Sequence, residues 1–135
     1  MLAVVALSFR FRGSGHRLVM VIPGAVLLAV SAIIGLWGVI GLGRGLTPFP
    51  RPLPHMPLIQ TGIYGVVRHP LYTSVMVAAL GWALVWQSWP GLLAGLALIP
   101  YLDLKSRREE RWLRDQFPEY SEYAKRVRRF IPGVY

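Results

Sequence analysis

The chain has 135 residues, enough for one domain, and contains no cysteine, which excludes disulfides, thiolate metal sites and a cysteine nucleophile. A mean hydropathy of +0.46 with 54% hydrophobic residues is too apolar for an ordinary soluble domain of this size and points to a small helical membrane protein. Fifteen Lys and Arg against six Asp and Glu leave a formal charge of +9, which at this hydropathy suits anionic lipid and a positive-inside topology; no nucleic acid partner is expected.

Residues 1–9 are apolar, but nine helical residues reach only about 14 Å, half the hydrocarbon thickness of a bilayer. Arg10, Arg12 and Arg17 follow this run, the reverse of a signal peptide's order, so the segment is expected to be part of an additional helix. Residues 18–42 hold no charge over 25 positions and form the first expected transmembrane helix. Gly24, Ala25, Ala29, Ala32 and Gly35 are expected to admit a neighbouring helix at close range, and Pro23 to bend the helix start. Pro48, Pro50, Pro52, Pro54 and Pro57 crowd the next stretch at a density that neither helix nor central strand tolerates, so residues 43–69 are expected to be a loop.

Pro70 disfavours the α region at His69 and suits the first helical turn, so a helix is predicted to begin at Pro70. Arg68 and His69 then sit at its mouth, where unpaired N–H groups and the positive dipole end favour anionic ligand groups. Residues 71–102 are uncharged, and 32 residues suit a hairpin turning at Ser88-Trp89-Pro90-Gly91 better than one span. One helix is predicted from Pro70 to about Gln87, with Trp82 and Trp86 at the far interface. Another is predicted over 91–104, with Gly91 and Gly95 spaced for close packing and Asp103 at its end.

Residues 105–117 read as a separate helix with Trp112, Leu113 and Phe117 on one side, stopped by Pro118. Tyr120, Tyr123, Ala124, Val127 and Phe130 recur at helical spacing, marking an amphipathic helix whose basic face of Lys125, Arg126, Arg128 and Arg129 should lie on anionic lipid. Nine basic residues follow Asp103 and three fall in 43–68, against three in 10–17, which puts the loop and the tail in the cytoplasm. The fold class is an all-α integral membrane protein: about three transmembrane helices, a partial N-terminal helix and a C-terminal amphipathic cytosolic region. Residues 1–135 form a single domain, divided into the 18–42 helix, the 43–69 loop, the 70–104 hairpin and the 105–135 tail.

Taken singly, the chemistry-bearing residues have ordinary explanations. Glu109 and Glu110 point about 100° apart on a helix and have Arg107, Arg108, Arg111 and Arg114 at ion-pairing range, so structural pairing is the default for both. His69 reads as a helix cap, and Tyr64 and Tyr72 as interfacial anchors. His16 and His55 add no metal-ligand spacing, and no metal is expected.

Together they carry more. Gly62-Ile63-Tyr64, Arg68-His69-Pro70-Leu71-Tyr72, an apolar hairpin, Glu109-Glu110 and Phe130-Ile131-Pro132 resemble the isoprenylcysteine carboxyl methyltransferase and phospholipid methyltransferase superfamily over residues 43–135. The resemblance implies S-adenosylmethionine-dependent methyl transfer at the cytosolic membrane face. It places Arg68, His69 and Glu110 in the catalytic set, and Tyr64, His69, Pro70, Tyr72, Glu109 and Glu110 around the cofactor. The chain departs from the pattern at Ile63, where the family usually has proline, and at Ser74, where glycine is frequent. Glu110 shares the apolar face of Leu113 and Phe117, so it is expected to turn inward more than Glu109.

The implied acceptor is a lipid or prenylated small molecule, either an isoprenylcysteine-type carboxylate or a phospholipid amine, and the implied setting is the bacterial inner membrane. Three spans are few to enclose a lipid, which leaves room for a homo-oligomer. An NADPH-dependent sterol-type membrane reductase is a second reading, since Ile131-Pro132-Gly133-Val134-Tyr135 echoes its closing motif; such enzymes usually carry asparagine after the proline, where Leu71 stands here. A non-catalytic membrane adaptor using its basic tail is the third.

Overall fold

A computed structural model describes residues 1–10, 18–43 and 57–135. Most of the proline-rich stretch lies outside the described residues, as do His16, His55, Arg12 and Arg17. The described chain is helical: α1 (Leu2–Arg10), α2 (Leu18–Leu42), a 3₁₀ turn at Gly62–Gly65, α3 (Pro70–Val85), α4 (Trp89–Gln116) and α5 (Tyr120–Arg126). Among these helices, α2 over Val19–Leu42 is long and apolar enough to cross a membrane. The expectation of about three spans is therefore met by one on length and composition, because α3 has only 16 residues, about 24 Å, and α4 mixes an apolar half with a charged one.

Helix α2 packs along α3 and leaves Ile22, Val26, Ile33, Leu36, Trp37 and Ile40 exposed on its other side. The close-packing stripe is the expected one at Gly24 and Gly35, each of which lies against α3, but not at the alanines. Ala25, Ala29 and Ala32 face outward, while Gly24, Ser31 and Gly38 are buried at strict seven-residue intervals, two helical turns apart. A Cβ on Gly24 would lie 2.8 Å from the Gly81 carbonyl oxygen, and one on Gly38 would lie 2.7 Å from Leu71 Cδ2, so these positions let the backbones approach.

Helix α3 begins at Pro70, as its sequence requires, with His69 as the capping position. It ends at Val85. Gln87 takes a left-handed φ of 51° in the turn, and the Ser88 side chain caps α4 by accepting from the Gly91 N–H at 3.2 Å. Helix α1 docks on α3 and α4, burying Val4 and Ser8, with Ser88 Oγ donating to the Leu7 carbonyl at 3.3 Å.

The largest departures from the sequence reading lie at the other end. The two helices expected over 91–104 and 105–117 are one continuous α4 of 28 residues, about 42 Å long. The change from apolar to charged at Asp103 is a change of surroundings and not of backbone: no glycine or proline occurs between Tyr101 and Gln116. Helix α5 stops at Arg126 instead of running to Phe130. Val127 turns extended, at φ −110° and ψ 132°, and the chain then runs parallel to the segment before α3. Arg68 N–H donates to the Arg128 carbonyl at 2.8 Å and His69 N–H to that of Arg129 at 3.1 Å. The extended backbone that Pro70 imposes on its predecessors needs partners for these N–H groups, and residues 127–130 supply them.

Two apolar clusters anchor this end. Tyr120, Tyr123 and Val127 pack with Leu58, Leu113 and Phe117, whereas Phe130 joins Met76 and Leu102 between α3 and α4.

Candidate active site

The sequence brings Arg68, His69 and Tyr72 to the start of α3 by placing a proline between them. His69 precedes the helix and Tyr72 sits in its first turn, so their rings stack with centroids 5.4 Å apart and planes 2° from parallel. Phe130 closes on the imidazole from another side, its centroid 6.0 Å away. Pro70 is buried and has no N–H to satisfy.

Helix α4 presents the two glutamates to this ring. Glu110 is 1% exposed, and its Oε1 lies 3.2 Å from His69 Nε2. Glu109 accepts a hydrogen bond from the Tyr72 hydroxyl, and its Oε2 lies 3.8 Å from His69 Nδ1. Adjacent carboxylates on a helix cannot face one point squarely, yet they bracket one imidazole because its two nitrogens lie on opposite edges. The inward turn expected for Glu110 is the observed one, with Glu109 only partly buried at 15% side-chain exposure.

Three guanidinium groups surround Glu110. Arg68 Nε donates to Oε1 at 3.1 Å, Arg129 Nε and Nη2 reach Oε1 and Oε2 at 3.0 and 3.1 Å, and Arg114 Nη2 lies 3.4 Å from Oε2. Burial pushes the Glu110 carboxyl up, but hydrogen bonds from His69 and Arg129 and the Arg68 charge outweigh it and hold the group well below the usual carboxylate range. Pairing with helix neighbours, the ordinary explanation of this glutamate, accounts for Arg114 alone; the closer cations come from outside α4. Arg68 also donates from Nη1 to the carbonyls of Ala124 and Val127 at 2.6 Å each, so its donors are largely committed within the protein.

Tyr64 stands apart from this cluster. Its hydroxyl donates to the Gly38 carbonyl at 3.3 Å, and its own carbonyl accepts from the Tyr123 hydroxyl at 2.6 Å, tying the 3₁₀ turn to α2 and α5. Burial pushes its phenol up to about 12. The structure therefore brings together Arg68, His69, Pro70, Tyr72, Glu109 and Glu110, with Tyr64 outside this cluster.

Arg129 is the participant that helical periodicity missed. As part of a helix it fell on the basic face; in the extended segment it alternates with exposed Arg128 and turns inward beside Val127. Reading Val127-Arg128-Arg129 with a period of two was the signal available. Asp103, expected at the end of a helix, accepts from Arg129 Nη1 at 2.8 Å and from Arg107 Nε at 2.8 Å. No group of three or more His, Asp or Glu side chains among the described residues is placed to hold a metal ion.

Two curated relatives match part of the chain. It is 38% identical over 79 residues to the cobalt-zinc-cadmium resistance protein CzcN of Cupriavidus metallidurans, covering 57% of this chain and 36% of that protein. It is 33% identical over 78 residues to the nickel-cobalt-cadmium resistance protein NccN of Alcaligenes xylosoxydans xylosoxydans, covering 57% of this chain and 37% of that protein. The chain thus spans little more than a third of either relative's length. A family profile for phospholipid methyltransferases matches residues 19–120, from the start of α2 through the His69 and glutamate cluster to Tyr120. The chain belongs to the phospholipid methyltransferase family, within the isoprenylcysteine carboxyl methyltransferase-like superfamily.

Proposed function

We propose that this protein transfers a methyl group from S-adenosylmethionine to a lipid-soluble acceptor, an isoprenylcysteine-type carboxylate or a phospholipid amine, at the cytosolic face of a membrane. The observation that carries the reading is the convergence of His69 and Tyr72 with Glu109 and Glu110, side chains 37 to 41 positions apart in the chain. Membership of the family supports it.

The residues fit such a cofactor. Glu109 Oε2 lies beyond full hydrogen-bond range of His69 Nδ1, at 3.8 Å, and so keeps capacity to accept from an ammonium or a ribose hydroxyl. The stacked His69 and Tyr72 rings offer a flat wall, with the Lys105 ammonium 5.2 Å from the Tyr72 centroid. When bound, the cofactor supplies an electrophilic methyl group on a sulfonium. The protein's task is then to align acceptor and methyl and to keep water out, which asks for positioning more than for a strong acid. An amine acceptor would release its proton to the Glu109 carboxylate. Arg68 and Glu110, buried and bonded to each other, act on the site by fixing His69.

Calorimetry on the purified protein in detergent tests the cofactor. Saturable binding of S-adenosylhomocysteine with none of NADPH is expected; the opposite pattern would favour the reductase reading.

The exposed apolar side of α2, the uncharged α3 and the apolar half of α4 support a membrane setting with the α3–α4 hairpin also embedded, and the twelve-to-three excess of Lys and Arg over 43–135 against 10–17 supports a cytoplasmic tail. A reporter fused after Tyr135 should be active only as its cytoplasmic version. Activity of a periplasmic reporter there would remove the site from any cytosolic cofactor. From the relatives' names we carry over a setting in metal tolerance, in which the methylated lipid would be the effector.

A further inference from the structure

Arg129 holds three parts of the molecule at once. Its guanidinium grips both oxygens of Glu110 at 3.0 and 3.1 Å, and its remaining nitrogen donates to Asp103 Oδ1 at 2.8 Å. Asp103 and Glu110 lie seven residues apart, two turns of α4, so one planar fork spans both acids on one helix face. Its carbonyl meanwhile accepts from His69 N–H at 3.1 Å, and the next residue's carbonyl, that of Phe130, accepts from Thr73 Oγ1 at 3.2 Å. The side chain is 15% exposed, whereas neighbouring Arg128 is exposed and contributes only backbone to this pairing.

We infer that Arg129 is a positioning residue of the proposed methyl-transfer site, setting the Glu110 carboxylate through its side chain and the His69 ring through its backbone. The inference rests on the proposed function and extends it to the segment 127–130, which lies outside the stretch that the family profile matches.

A lysine at 129 keeps a cation but cannot fork across two acids, and a glutamine loses both charge and fork. The groups facing Glu110 are Arg68 and His69 before α3, Arg114 on α4, Tyr120 and Tyr123 on α5 and Arg129 itself. Loss of the Arg129 cation leaves burial less opposed, so Glu110 takes up a proton at higher pH. A depressed carboxyl stabilises the folded state at pH values above its ordinary range, and that stability is lost as pH falls through the folded value.

The experiment compares the full chain in detergent with R129K, R129Q and the exposed control R128Q. S-adenosylhomocysteine affinity is measured from pH 5 to 8, and ligand-free acid unfolding is followed separately. R129Q should bind about tenfold more weakly or worse at pH 7 and begin acid unfolding about one pH unit higher. R129K should keep the wild-type acid limb and recover part of the affinity, and R128Q should match wild type in both. Wild-type affinity and pH profile in R129Q would overturn the inference. So would equal losses in R129K and R129Q with no change in pH dependence, the mark of a merely structural arginine. If the wild-type protein binds no S-adenosylhomocysteine, the functional reading falls and takes the positioning role with it; the ligand-free acid limb then still reports whether Arg129 governs Glu110.

Discussion

Glu110→Gln should destabilise the protein by about 3–5 kcal/mol and abolish S-adenosylhomocysteine binding, the largest effect expected of any single replacement. The amide fits the same space but removes the carboxylate that Arg68 and Arg129 share, and Arg129 keeps only Asp103 as a counter-charge; their side chains are 9% and 15% exposed. Arg68 then faces a neutral group and Arg129 loses one of its two acids, while the amide NH₂ opposes their donors. The carboxylate also fixes His69 through Nε2, so the stacked wall loosens with it. Chaotrope unfolding in detergent, read by tryptophan fluorescence, measures the first effect and calorimetry the second. Glu109→Gln is the comparison: its nearest partner is the neutral Tyr72 hydroxyl, so binding should weaken with little loss of stability. Wild-type stability and affinity in Glu110→Gln would reduce the cluster to a surface-like ion pair.

Gly24→Val should cost about 1–3 kcal/mol by forcing α2 off α3. The contact is between backbones: the added Cβ meets the Gly81 carbonyl oxygen and the Val85 nitrogen at 2.8 Å, and Gly81 is equally tight against the Gly24 carbonyl oxygen at 2.9 Å. No rotamer relieves it. Ala29→Val on the exposed side of the same helix adds similar bulk and should leave stability unchanged. Unfolding midpoints of the two variants under identical detergent conditions decide the matter; equal midpoints would mean that α2 and α3 are not held at this distance.

The helical class, the start of α3 at Pro70, the hairpin turn and the face of Glu110 were legible because each follows from local rules. Pro70 constrains its neighbours whatever the rest of the chain does, and the inward side of α4 is written in Leu113 and Phe117. What the sequence concealed depends on contacts across the chain. Continuity of α4 through Asp103 was hidden because a change in polarity resembles a boundary when hydropathy is the guide. The extended course of residues 127–130 was hidden because Val127 and Phe130 satisfy a helical spacing while their N–H and carbonyl groups serve α3 instead. The packing stripe on α2 was misread toward alanines, since small side chains mark where a neighbour can approach but not which of two faces it takes.

The parallel pairing of the segment before α3 with the segment after α5 sets an order of assembly. Arg68 meets Glu110 at a separation of 42 residues and the Val127 carbonyl at 59, whereas α3 and α4 need only a short turn to meet. Loop closure over such distances is entropically unfavourable unless intervening structure shortens it, so the hairpin must form before the ends can be joined. The cluster around His69 is therefore expected to become native after the α3–α4 hairpin and to loosen when the 127–130 segment detaches.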